Sequence, residues 1–297
     1  MNRACIGLAL GGGAARGWSH IAVLRELELK GIRPGVVAGT SIGALVGAAY
    51  ALGRLGALEV WVRAMRWPNL AGYFDIRLEG GLIAGERLMA ALAELIGDAN
   101  FADCHIPFAA VATDLETGQE RWLREGRVLD AVRASIAMPI LFSPVRHEDT
   151  WLVDGGLVNP VPVSLCRAMG AGQVIAVDLL SDALERETLK PASSIPEKGL
   201  FGRVRRAMTA WLGRGDGVGM PSILDVMGRS VNIMQLRIGR SRLAGDPPDI
   251  LLMPRMPEIG LLDFHRAEEA MQAGRQAVDR ASSALHLLIR DSQPTTE

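Results

Sequence analysis

The chain has 297 residues and a mass of 31.8 kDa, with 49% apolar and 22% charged side chains, which fits one large or two small globular domains and excludes a disordered or fibrous chain. Thirty-two basic against 33 acidic residues leave a formal charge of −1, which argues against a nucleic-acid binder. Cys5, Cys104 and Cys166 are too few and too scattered for a disulfide framework or a zinc site, and they suit a reducing compartment such as the cytoplasm.

Ala4 to Leu10 is apolar behind Arg3, but the run is short and glycines interrupt it at once, so Cys5 to Leu10 reads as a buried strand and not as a signal peptide. It stops at Gly11-Gly12-Gly13, and Ile21, Leu24, Leu27 and Ile32 then recur at helical spacing up to Gly31 and just past it. Pro34 to Gly53 carries no charge and has Gly39, Gly43 and Gly47 at four-residue spacing, which a hydropathy window flags as a membrane helix. A strand over Val36 to Ala38, a tight turn at Gly39-Thr40-Ser41 and a buried helix over Ile42 to Leu52 account for the same residues and also for a serine between two glycines. Further helices are predicted over Leu55 to Met65 and Gly85 to Ile96.

Phe108 to Thr113 is the next strand, with Glu120 to Leu123 beside it, followed by a helix over Val128 to Ile136. Trp151 to Val153 is a brief strand running into Asp154-Gly155-Gly156. Pro162 to Met169 reads as a helix, Val174 to Val177 and Ile250 to Met253 as strands, and Phe264 to Leu288 as one closing helix. Alternating strands and helices predict a single α/β domain over 1–297, with a mostly parallel central sheet flanked by helices on both faces. Ser181 to Met220 breaks the rhythm and reads as a mobile insertion or lid. Within it Leu200 to Arg214 is basic and amphipathic, suited either to peripheral contact with an anionic membrane face or to packing on the domain.

Gly39-Thr40-Ser41-Ile42-Gly43 fits G-x-S-x-G between a strand and a helix, a context that projects the Ser41 hydroxyl from a strained turn towards the positive end of a helix. The bland alternative is a helix N-cap serine. Gly11-Gly12-Gly13-Ala14-Ala15-Arg16-Gly17 fails the dinucleotide fingerprint in both registers, and an oxyanion hole beside Ser41 uses both motifs at once. A serine nucleophile needs a base. His20, His105, His147, His265 and His286 carry no supporting motif; an α/β-hydrolase would have to use His265 or His286. Asp154, ending a strand ahead of two glycines, is the better candidate, with an Asp-Gly hairpin turn as its structural alternative. An anion- or nucleotide-binding module without catalysis is the competing class.

These three ordered motifs resemble the signatures of patatin-like phospholipases, in particular short bacterial members related to the catalytic domain of neuropathy target esterase. Ala112 to Leu115, Ala134 to Pro139 and Ile259 to Ala267 extend the likeness over most of the chain except Ser181 to Met220. The resemblance implies a three-layer α/β architecture and a serine acyl hydrolase of phospholipids, lysophospholipids or simpler esters, without cofactor or metal. Ser41 would be the nucleophile, Asp154 its base, and Gly12 and Gly13 the main oxyanion donors, with Gly11 also in question. Gly39 and Gly43 would shape the elbow, and Gly155 and Gly156 the aspartate turn. Arg16 and Gly17 match family positions, the arginine without a derivable role. A carboxylate of ordinary pKa, about 3.9, is a poor base for a serine, so orientation and the oxyanion hole must carry much of the rate.

Overall fold

A computed structural model of the chain describes residues 5–65, 85–139, 141–181 and 223–291. Its strands are β1 (Ile6–Leu10), β2 (Val36–Thr40), β3 (Phe108–Asp114), β4 (Glu120–Leu123), β5 (Val145–His147), β6 (Thr150–Asp154), β7 (Gln173–Val177) and β8 (Ile250–Leu252). Its helices are α1 (Ser19–Leu29), α2 (Ile42–Ala51), α3 (Leu55–Ala64), α4 (Glu86–Ile96), α5 (Val128–Ser135), α6 (Val163–Ala168), α7 (Ile223–Gly245), α8 (Ala267–Arg280) and α9 (Ser282–Asp291). The sheet order is β5-β6-β3-β2-β1-β7-β8, with β4 beside β3. The pairs joining β3, β2, β1, β7 and β8 are parallel, and β4, β5 and β6 join antiparallel.

Alternation along the central strands divides the interior in two. Leu8, Leu10, Val37, Ala110, Ile175 and Val177 face one core, shared with α1, α2, α5 and α8, whereas Ala9, Ala38, Val111, Val174 and Ala176 face the other, under α6. Strands buried on both sides need apolar residues at both parities, which is why β1 and β2 read as continuous runs. The uncharged stretch Pro34 to Gly53 is accordingly β2 followed by α2, each of whose residues is buried, and no described helix is long and apolar enough to cross a membrane.

The expected closing helix is two. Ala281 ends α8 at φ −92°, ψ 4°, and the Ser282 hydroxyl turns back to donate to the Val278 carbonyl, a competition with the helical ladder typical of serine. The residues from Phe264 to Arg266 precede the helix. Helix α7 and strand β5 are not among the elements predicted from sequence: Gly228 and Gly239 interrupt the apolar pattern of α7, and β5 is a three-residue arm of a hairpin closed through Glu148 at φ 51°. Beyond Ser181, the expected insertion to Met220 and its Leu200 to Arg214 helix lie outside the described residues.

Candidate active site

The register of β3 brings the two site motifs together. Strand β4 pairs with Ala110 to Thr113 and so occupies one edge of β3. Strand β2 pairs with β3 as far as Thr40↔Val111, and β6, running the other way, pairs from Asp114 back to Ala112↔Asp154. Both overlap β4 in register, so both use the opposite edge of β3 and meet there end to end. Ser41 is the next residue after β2 and Asp154 the last of β6. The Ser41 Oγ donates a 2.6 Å hydrogen bond to Asp154 Oδ2, across 113 positions of sequence.

Ser41 has φ 56° and ψ −124°, a conformation rare and strained for a residue with a side chain. It stands at the N-cap of α2, yet its side chain caps no amide. The turn is held by close passage: a Cβ on Gly43 would lie 2.1 Å from the Leu10 carbonyl oxygen, so β1 and α2 approach as only glycine allows. The Ser41 N–H donates to Ser135 Oγ at 2.8 Å, and that hydroxyl donates in turn to the Val111 carbonyl at 2.6 Å. Ser135 is fully buried at the end of α5. It lies in the Ala134 to Pro139 stretch, but nothing in its sequence context marks it as a support for Ser41.

Asp154 is 1% exposed. Its Oδ1 accepts from the Gly156 amide at 2.7 Å, its carbonyl accepts from Thr113 Oγ1 at 2.8 Å, and its own amide donates to Ala137. The chain leaves it as a single 3-10 turn, Gly155–Leu157, not as a hairpin. Burial pushes the carboxyl up to about 6, against the opposing pull of the hydrogen bonds from Ser41 and Gly156. A carboxylate in this environment holds a proton more readily than one in water, and it is still a weak base toward a serine hydroxyl.

The amides of the glycine loop are engaged unequally. The Gly11 amide continues the β1–β7 ladder to the Val177 carbonyl (3.0 Å), and the Gly12 amide donates to the Pro160 carbonyl (2.9 Å). Among the described residues no acceptor meets the amides of Gly13 and Ala14, the latter at φ 49°. The Gly13 and Ala14 amides are thus unengaged beside Ser41, whereas those of Gly11 and Gly12 are taken. The same engagement leaves a dinucleotide little loop to bind. Gly12 packs beside Ser41, and Gly17 is pressed against Ile42. Buried Arg16 donates from Nε to the Ile259 carbonyl at 2.9 Å, and with the Ala15 amide on Leu261 it ties the loop to the 259–264 segment.

The histidines lie elsewhere. His20 is fully buried, its Nε2 2.8 Å from the Gly11 carbonyl, and burial drops it to about 4, so it supports the loop as a neutral ring. His105 and His286 are exposed, and neither His147 nor His265 lines the cavities around Ser41. Ser41 stands between two such cavities. One is an apolar cleft of about 770 Å³ out to its mouth, walled by Trp18, Leu45, Trp61, Leu88, Phe142 and Phe264. The other is a recess of about 310 Å³ beside Asp154, Gly156 and Gln235.

Comparison with known proteins agrees with the motif order. A family model described as patatin-like phospholipase matches residues 8–167. An NTE family protein of Mycobacterium tuberculosis is 28% identical, the match covering 98% of this chain and 95% of that one. Another from the same organism is 31% identical over 96% of this chain and 48% of its own length. Lysophospholipase NTE1 of Mycosarcoma maydis is 29% identical, covering 92% of this chain and 14% of the fungal one.

Proposed function

The chain belongs to the patatin-like phospholipase family and is a lipid acyl hydrolase, and on that premise we propose that it cleaves carboxylic esters of phospholipids or lysophospholipids through Ser41 and Asp154 with no histidine. The observation that carries this reading is the 2.6 Å hydrogen bond from Ser41 Oγ to a buried carboxylate, at the mouth of an apolar cleft.

The reaction runs in two halves. As Ser41 Oγ bonds to the ester carbonyl carbon, its proton passes to Asp154 Oδ2, and the carbonyl oxygen becomes an oxyanion facing the Gly13 and Ala14 amides. The carbon–oxygen bond to the alcohol then breaks, and Asp154 returns the proton to the departing oxygen. Water enters next: Asp154 takes one of its protons, the hydroxide oxygen bonds to the acyl carbon, and Ser41 leaves with the proton restored, releasing the fatty acid. The raised carboxyl suits both directions of transfer, since it lies nearer neutrality than an ordinary aspartate. The dipole of α2 points its positive end at the same place.

Replacement of Ser41 by alanine is expected to lower hydrolysis of lysophospholipid more than about a thousandfold without changing the unfolding temperature appreciably. Turnover close to wild type in that variant would end the proposal.

A further inference from the structure

The two cavities meeting at Ser41 differ in chemistry, and the smaller contains a group that the reaction above leaves unused. Gln235 on α7 is 5% exposed and lines the recess with Gly12, Gly13, Asp154 and Gly156. Its Nε2 stands over Gly156, where a Cβ would come within 2.7 Å of it. That glycine's amide is the one bound to Asp154 Oδ1. Among the described residues no protein group hydrogen-bonds the Gln235 side-chain amide, which faces the recess.

Proton accounting fixes which half of an ester enters the recess. Asp154 must protonate the departing oxygen, so the alcohol lies on the Asp154 side of Ser41. The acyl chain is left with the larger apolar cleft, which walls the opposite side with aromatic and aliphatic groups. The alcohol half then enters the recess that Gly156 and Gln235 line together.

We infer that Gln235 recognises a free hydroxyl on the alcohol half of the substrate, on the carbon next to the ester oxygen, by donating to it and accepting from it. This deepens the hydrolase reading and rests on it. The class so selected is an ester of a polyol, such as a monoacylated glycerol with or without a phosphate head group. The recess has less than half the volume of the cleft, and Met138, Pro160, Leu180 and Leu261 line it beside Gln235.

The test is the ratio of kcat/KM for the glyceryl ester to that for the propyl ester of the same fatty acid, measured on wild type, Gln235→Leu and Gln235→Asn. A ratio cancels any loss of folded enzyme. Wild type is expected to prefer the glyceryl ester by about tenfold, Gln235→Leu to bring the ratio close to one, and Gln235→Asn to fall between them. A wild-type ratio of one or less, or a ratio retained in Gln235→Leu, overturns the inference. Lysophosphatidyl esters with the hydroxyl present or replaced by hydrogen form the second arm. If Gln235→Leu slows both of these alike, the amide reads the phosphate and the inference is again overturned. Labelling of wild-type Ser41 by a fluorophosphonate separates the two levels: labelled enzyme with an unchanged ratio sinks the Gln235 assignment alone, and unlabelled, inactive enzyme sinks the hydrolase mechanism with it.

Discussion

Asp154 carries two opposed demands. Burial raises its proton affinity from the ordinary 3.8 to about 6, so above that pH the folded protein holds a charge that the unfolded chain would hold more comfortably. The contribution of this group to stability is complete below about pH 4, the unfolded value, and is lost as pH rises through 6. Asp154→Asn removes the buried charge while keeping an acceptor for the Gly156 amide. At pH 8 the variant is expected to be more stable than wild type by roughly 3 kcal/mol, from about two pKa units at 1.36 kcal/mol each, with the gap closing below pH 4 in denaturant titrations. A variant less stable than wild type at pH 8 would show that the carboxylate is better solvated than its burial implies. Ser135 makes a different demand. Its hydroxyl both receives the Ser41 amide and donates to Val111, so Ser135→Ala leaves two buried backbone groups unpaired. It is expected to lower kcat about tenfold with KM little changed, because the nucleophile loses orientation and not its cleft; a loss confined to KM would contradict that role.

The elbow and the aspartate turn are made by elements, not by single residues. Strands β2 and β6 end against each other on one edge of β3, and α2 leaves the junction pressed onto β1. Gly43→Ala would drive a methyl into the Leu10 carbonyl, so a loss of about 3 kcal/mol or more and a matching fall in unfolding temperature are expected. Retention of wild-type stability would mean that β1 and α2 separate more easily than their contact suggests. Ser41 and Asp154 were legible in the sequence because glycines flank each of them next to an apolar run, and such punctuation has few structural explanations. Ser135, Thr113 and Gln235 were not legible, since a hydroxyl or amide inside an ordinary helix or strand acquires its partner only from tertiary register. The antiparallel entry of β6 was hidden for the same reason: three or four apolar residues show a strand but not its direction. Which amides of the glycine loop are free was not legible either, because those of Gly11 and Gly12 are claimed by Val177 and Pro160, residues far away in sequence.

Across the described residues, one face of the sheet supplies the apolar cleft, and the junction at its rim holds Ser41 and Asp154. Leu45, on α2 one turn beyond the elbow, is a wall of that cleft and only 3% exposed. Leu45→Trp is expected to cut kcat/KM for palmitoyl esters at least about tenfold relative to butyryl esters, since a long chain needs the depth that the indole would fill. An unchanged chain-length profile would place the acyl chain elsewhere. The central claim, that a buried aspartate alone activates Ser41, is tested most directly by the pH dependence of fluorophosphonate labelling, with the modified residue located by mass spectrometry. Wild type is expected to be labelled at Ser41 at a rate that rises through a single ionisation near pH 6 and then levels off, and Asp154→Asn to label at least about a hundredfold more slowly with that ionisation gone. Label on any residue other than Ser41, or the same pH profile surviving in Asp154→Asn, would contradict it.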